Sequence, residues 1–335
     1  MMPPHSSQVD TRLSWRHHVR RGVVLLVLLT SAGELVARYG LGLGDPPLSV
    51  ADPRIEYRFK PDQDLYRFHH HFATNAYGMR SDPIQNPKGR NELRILFFGD
   101  SVVNGGSLID QSELATTLVQ DRLAGQSGID VTVGNVSAGS WGPGNWLAWA
   151  ETYGFFDADV IVLVISSHDA RDNPTFAPLD PSTHPTEKPV LALYEALTRY
   201  VPRYLPGLAK PAPALATPGT GSTSPDAAMQ HALTDLERFL LLASAQTRAV
   251  LVIQHLEIQE LDQPGPTEGF AHIDALCRKL GIATFDLRDP LTAALKAGGH
   301  PYSDNIHLTR EGQRLLADAV LRYWPDLHAN AGVRD

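Results

Sequence analysis

Residues 94–106 read RILFFGDSVVNGG, an apolar run that halts at Gly99-Asp100-Ser101 and passes into small residues. An apolar run of this length, stopped by a turn signal, reads as a buried strand. Ser101 then stands at the strand's tip, either as a nucleophile or as a serine in a turn.

Outward from this stretch the pattern repeats. Apolar runs at 130–137 (DVTVGNVS), 158–166 (ADVIVLVIS), 249–255 (AVLVIQH) and 282–287 (IATFDL) are further strand candidates. Between them SELATTLVQDRLAG, GNWLAWAETYGFF, VLALYEALTRYV, DAAMQHALTDLERFLLLASAQ, GFAHIDALCRKLG and TREGQRLLADAVLRYW repeat apolar residues at helical steps. Thr309 is a natural N-cap for the last. Strands alternating with helices are the mark of βαβ units, so an α/β fold with a five-stranded parallel sheet covered on both faces is expected from 93 to 327. Residues 206–225, PGLAKPAPALATPGTGSTSP, of low complexity and with only Leu208 and Leu215 as large apolar residues, read as a surface insertion, and 328–335 as a tail.

Residues 44–92 are dense in turn signals (DPP, DPR, KPD, NPKGR) and read as an arm leading into the core. Within the arm, His69, His70 and His71 suit an alternating strand exposing two of the three better than a metal site. TNAYGMR (74–80) reads as a structured turn around Gly78.

The N-terminal end differs from the rest. The net charge of the 335 residues is −8, while residues 1–21 hold four arginines (12, 16, 20 and 21) against Asp10, or +3, leaving −11 for the remainder. That balance argues against a nucleic-acid partner. RHHVRR precedes GVVLLVLLTSAG and ELVARYGLGLG, and basic residues before an apolar segment predict a cytoplasmic tail (1–21), a transmembrane anchor or signal segment (22–43) and an exported remainder. The uninterrupted apolar core covers only 22–33, and Thr30-Ser31-Ala32 would suit signal cleavage. Helical pattern nevertheless continues to about residue 43, with Glu34 and Arg38 one turn apart where they can pair or snorkel, which favours an uncleaved anchor. Cys277 is the lone cysteine, excluding an internal disulfide and a cysteine-based zinc site.

Ligands of an open parallel sheet bind beyond the carboxyl ends of its strands. Those ends deliver Gly99-Asp100-Ser101, then Asn135 to Ser140, Ser166-Ser167-His168-Asp169, Gln254-His255, and, before the last helix, Ser303 to His307. A serine hydroxyl is a weak nucleophile at neutral pH and needs a base; His307 can be that base, and Asp304 can hold its tautomer. Ser140, in AGSWG, is a rival on the pattern of a nucleophile elbow. Only one strand of the regular sheet precedes the strand that leads into it, whereas such an elbow needs several. Trp141, Trp146 and Trp149 offer either a sugar-stacking surface or core packing.

FFGDS, NVSAGSWG and DNIH together resemble the blocks of the SGNH/GDSL hydrolase family, serine esterases and lipases on a three-layer, flavodoxin-like α/β/α domain. The resemblance implies Ser101, His307 and Asp304 as catalytic residues and backbone N–H groups of Ser101 and Gly139 as oxyanion donors, with no metal or cofactor. The family's third block carries Gly-x-Asn-Asp; here His168 stands where the asparagine is expected, either donating to the oxyanion in its place or packed as a structural histidine. TNAYGMR resembles a stretch of membrane-anchored bacterial members. This implies a single-pass inner-membrane protein with its domain in the periplasm or outside, or a secreted form, acting on acyl esters, notably O-acetyl groups of a polysaccharide. Carbohydrate O-acetyl transfer and a non-catalytic polysaccharide-assembly role are the alternatives.

Overall fold

The computed structural model describes residues 8–201 and 224–331; the first seven residues, residues 202–223 with all but the last two residues of the 206–225 insertion, and the last four residues lie outside it. Two compact units divide the chain, Met1–Pro46 with Lys188–Lys210, and Pro47–Glu187 with Pro211–Asp335.

In the larger unit the arm forms two antiparallel hairpins, β1 (Ser49–Asp52) with β2 (Glu56–Phe59) and β3 (Asp64–Arg67) with β4 (His70–Ala73). A five-stranded sheet follows, built from β5 (Glu92–Gly99), β6 (Asp130–Ser137), β7 (Val160–Ser166), β8 (Ala249–His255) and β9 (Ala283–Asp286). Every pairing is parallel and the spatial order is β6-β5-β7-β8-β9. The chain moves outward from β5 to β6, then crosses back to β7 and proceeds the other way. This is the doubly wound, flavodoxin-like order, and the crevice of such a sheet opens where the direction reverses, between β5 and β7.

Alternation along each strand supplies both faces. Leu96 and Phe98 join one core with Leu163, Ile165 and Val252, against Trp146, Trp149, Leu236, Phe239 and Ile273. These come from α4 (Pro143–Tyr153), α6 (Pro225–Gln246) and α8 (Glu268–Leu280). Ile95 and Phe97 face the opposite core with Val162, Val164 and Ile253, against Val119, Leu123, Leu316 and Val320. The latter lie on α3 (Ala115–Ser127) and α10 (Arg310–Ala331). Both faces are covered, which is why these strands read as nearly continuous apolar runs. Three short helices complete the unit: α2 (Ser101–Asn104), α7 (Ile258–Leu261) and α9 (Arg288–Lys296).

The arm is part of this core, since Ile55, Tyr57, Met79 and Ile84 are buried in its first face. Of the three histidines, His69 sits in the tight β3–β4 turn with positive φ, and His71 is hydrogen-bonded to Asp64 at 2.7 Å. TNAYGMR is a turn, as expected. The Asn75 carboxamide accepts the N–H of Tyr77 and Met79, and Gly78 has φ +78°, with a Cβ there falling 2.4 Å from the Phe59 carbonyl oxygen. The turn delivers Arg80, fully buried, whose guanidinium donates to the carbonyls of Asn104, Gly106 and Ile109 and lies 4.4 Å from the Phe72 ring.

In the smaller unit α1 (Gln8–Leu35) runs on through a π turn, Val36–Gly40. Trp15–Gly40, 26 residues, is long and apolar enough to cross a membrane. Glu34 and Arg38 pair across one turn at 2.7 Å. The segment VLALYEALTRYV is helical as α5 (Ala192–Glu195), extended by a π turn over Ala196–Tyr200.

Candidate active site

Ser101 opens α2 directly beyond β5, at the reversal point of the sheet. Asp100 caps that turn, its carboxylate accepting the Val102 N–H at 2.8 Å. Gly99 has to be glycine, because a Cβ would sit 2.4 Å from the Val103 side chain. From the other end of the chain, Gln313 on α10 donates to the Val102 carbonyl at 2.8 Å and accepts the Ala115 N–H, tying α2 to α3.

His307 reaches Ser101 across 206 residues of sequence, with Nε2 2.9 Å from the hydroxyl Oγ. Its Nδ1 lies 2.7 Å from Asp304 Oδ2, while Asp304 Oδ1 accepts the N–H groups of Ile306 and His307 at 3.0 and 2.8 Å. Partial burial pushes the Asp304 carboxyl up, but these N–H groups and the imidazole outweigh it and hold the carboxyl below its ordinary value. The loop carrying both residues is fixed along its length. Ser303 N–H donates to the His307 carbonyl at 2.9 Å, Tyr302 bridges Leu308, and Ile258 N–H donates to the Asn305 carbonyl at 2.9 Å. His255, buried at the end of β8, lies with Nε2 2.8 Å from the Ile306 carbonyl; burial pushes its pKa down to about 4, so the ring is neutral and donates there. Thr309 caps α10 as expected, its hydroxyl accepting the Gly312 N–H at 3.4 Å.

Gly139 lies in the loop after β6, and the arm secures it. The Tyr57 hydroxyl donates to the Gly139 carbonyl, the Trp141 indole N–H donates to the Tyr57 carbonyl at 3.0 Å, and the Asn145 carboxamide donates to the Ile55 carbonyl at 2.7 Å. Burial pushes the Tyr57 phenol well up, so it stays protonated and able to donate. Ser140, next in this loop, has φ +57°, but the His307 imidazole is bonded to Ser101. The loop follows β6, the edge strand.

His168 is the second residue of the turn after β7, Ser167–Arg171. Its Nε2 lies 3.5 Å from Asp169 Oδ1 and 3.7 Å from Asp100 Oδ2, and its Nδ1 3.5 Å from Glu257 Oε1. Burial alone would push the imidazole down. Asp169, Glu257, Asp100 and Asp172 outweigh that and raise its pKa to about 10, so it is an imidazolium at neutral pH. Asp100, His168 and Asp169 are near enough together to hold a cation. In this geometry the imidazolium already supplies the positive charge among the carboxylates.

Of the two readings open for the tryptophans, the structure takes core packing. Trp141, Trp146 and Trp149 are 2%, 0% and 1% exposed, so they cannot stack on a sugar. Trp146 donates its indole N–H to the Gly99 carbonyl at 3.0 Å, bracing the strand end that carries Ser101, and Trp149 packs edge-on to Phe98. Tyr57, Arg80, His255 and Gln313 shape the site; Arg80 ends the TNAYGMR turn and His255 stands at a strand end, while Tyr57 and Gln313 carry no local signal that marks them.

No family model and no curated protein matches the chain. Among solved structures it is similar to a member of the lipolytic protein G-D-S-L family from Veillonella parvula, at 14% identity and TM-score 0.44, covering 70% of this chain and 98% of that one. It is also similar to an acetylxylan esterase from Geobacillus stearothermophilus, at 13% identity and TM-score 0.44, covering 72% and 95%. A two-domain esterase active on acetylated mannans aligns at 12% identity and TM-score 0.46; there the alignment covers 71% of this chain and half of that one.

Proposed function

We propose that the larger unit is a serine ester hydrolase of the SGNH/GDSL type. The observation that carries this reading is the continuous hydrogen-bonded chain from Ser101 Oγ through His307 to Asp304. His307 Nε2 takes the hydroxyl proton as Oγ bonds to the ester carbonyl carbon, and Asp304 stabilises the imidazolium that forms. The negative charge collects on the former carbonyl oxygen, which the N–H groups of Ser101 and Gly139 receive. His168, protonated, sits among the carboxyls of Glu257, Asp100, Asp169 and Asp172, the last three pushed up by burial, and offsets the negative charge that they carry next to Ser101. Collapse breaks the bond to the alcohol, which leaves with the proton from His307. Water then repeats the sequence and frees the acid and Ser101.

The side chains of His307 and Asp304 are 44% and 55% exposed. A triad this open reaches an ester projecting from a large carrier without burying it, in keeping with O-acetyl groups on an envelope or extracellular polysaccharide. The N-terminal helix fits a single-pass inner-membrane anchor with the hydrolase unit outside the cytoplasm. The full chain in detergent should hydrolyse p-nitrophenyl acetate and be labelled by a fluorophosphonate probe at Ser101, with both lost in Ser101→Ala. Equal labelling of wild type and Ser101→Ala would refute Ser101 as nucleophile. Acetyl transfer to an added oligosaccharide in preference to water would assign the same acyl-enzyme to a transferase.

A further inference from the structure

The smaller unit contains a polar seam between two segments far apart in sequence. The Glu34 carboxylate accepts the N–H groups of Ala192 and Leu193 at 3.0 and 2.8 Å, at the start of α5. Arg38, paired with Glu34, also donates to the Val190 carbonyl at 3.1 Å. Glu195 accepts the Gly44 N–H at 2.7 Å, and the Leu193 methyls pack beside Gly33, where a Cβ would lie in ordinary contact at 3.5 Å. The Glu34 and Glu195 carboxylates are thus spent on backbone N–H groups between the segments, while the Arg38 contact stays partly exposed. Outward, Val190, Leu191, Tyr194 and Leu197 are 89%, 53%, 63% and 55% exposed, an unusual density of large apolar side chains for a surface facing water. On α1 and its extension, Leu28, Leu29, Leu35, Val36 and Tyr39 are exposed as well.

Length supplies the reason. The uninterrupted apolar core at 22–33 spans about 18 Å as a helix, short of a hydrocarbon layer of about 30 Å. Continuing to residue 41 reaches about 30 Å, but carries Glu34 and Arg38 toward lipid, where charges with no partner are strongly disfavoured. The seam neutralises the pair and gives the carboxylate two backbone donors.

We propose that residues 188–200 are a second membrane element, lying in the outer phospholipid leaflet against the end of the anchor, with Val190, Leu191, Tyr194 and Leu197 on acyl chains. This rests on the anchor reading given above. Glu34 and Arg38 are bonded to backbone groups of the segment, which suits lipid beside them, and the exposed Lys188, 2.8 Å from Asp45, lies at the segment's start, where it can snorkel to the interface.

The test is nitroxide labelling of single cysteines at Leu191, Tyr194 and Leu197 in the full chain, reconstituted in phosphatidylcholine and phosphatidylglycerol vesicles. Leu26→Cys reports the anchor and Lys296→Cys an aqueous surface; native Cys277 is buried. Collisions with oxygen should exceed those with a water-soluble nickel chelate at 191, 194 and 197, as at 26, with the reverse at 296. If 26 is in lipid while 191, 194 and 197 match 296, the segment faces water or a protein partner and the inference fails alone. If 26 also matches 296, the anchor reading fails and takes this one with it.

Discussion

Replacing Asp304 by Asn exchanges one acceptor for one donor, and the structure shows which way the new side chain must turn. Oδ1 of Asp304 accepts two backbone N–H groups, from Ile306 and His307. The asparagine oxygen has to stay there, because an NH₂ in that place would meet two donors. Its NH₂ then faces His307 Nδ1, which becomes the acceptor, so the imidazole proton moves to Nε2, 2.9 Å from Ser101 Oγ. An Nε2 that carries a proton cannot take the serine's. Trapping a triad histidine in this tautomer lowers kcat about 10⁴-fold, roughly 5.5 kcal/mol in barrier. Loss of one oxyanion donor costs only about 10² to 10³. The two are therefore separable by steady-state kinetics on p-nitrophenyl acetate. kcat should fall about 10⁴-fold, with KM little changed, because Asp304 acts through His307. A kcat within about 30-fold of wild type, far short of the tautomer penalty, would show that Asp304 does not orient the base.

Tyr57→Phe removes the donor that holds the Gly139 carbonyl; kcat should drop about 10-fold, less than outright loss of an oxyanion donor, and urea unfolding should report about 1–3 kcal/mol lost for the buried carbonyl. His168 has a folded pKa raised to about 10, so its stabilising contribution is complete below its ordinary value near 6.5 and disappears as pH rises through 10. His168→Gln should thus flatten the fall of melting temperature across that alkaline window. Gly78→Ala, with φ +78° and a Cβ 2.4 Å from a carbonyl oxygen, should destabilise by more than about 1 kcal/mol in the same urea assay and perturb the loop that Arg80 holds.

The five core strands were legible because burial on both faces forces long apolar runs, and chain order alone put Ser101 beyond the first of them. Ser101, His307 and Asp304 were visible as strand-end chemistry, although their convergence is a property of the β5–β7 reversal. The arm hairpins were hidden by strands of four residues among prolines. α9 was missed because it is nine residues long with Pro290 in its first turn. The tryptophans stayed undecided in sequence because an indole beside a strand end looks the same whether it faces a sugar or a carbonyl. Tyr57 and His255 act through backbone carbonyls of distant residues, and a carbonyl has no letter in the sequence. VLALYEALTRYV shows a helical period, but nothing in it reveals that its first N–H groups are capped by Glu34.

The loop that carries His307 is fastened by Ser303 to His307, by the Tyr302–Leu308 bridge, by Ile258 to Asn305 and by His255 to Ile306. Few torsions remain free in it. The entropy of placing the base is therefore lost once, when the chain folds, and not again at each turnover. In the hydrolase proposed above, a base held this way would present an acyl group with a finished site, and selectivity would rest on which esters can reach Ser101 rather than on which can induce the catalytic groups to assemble.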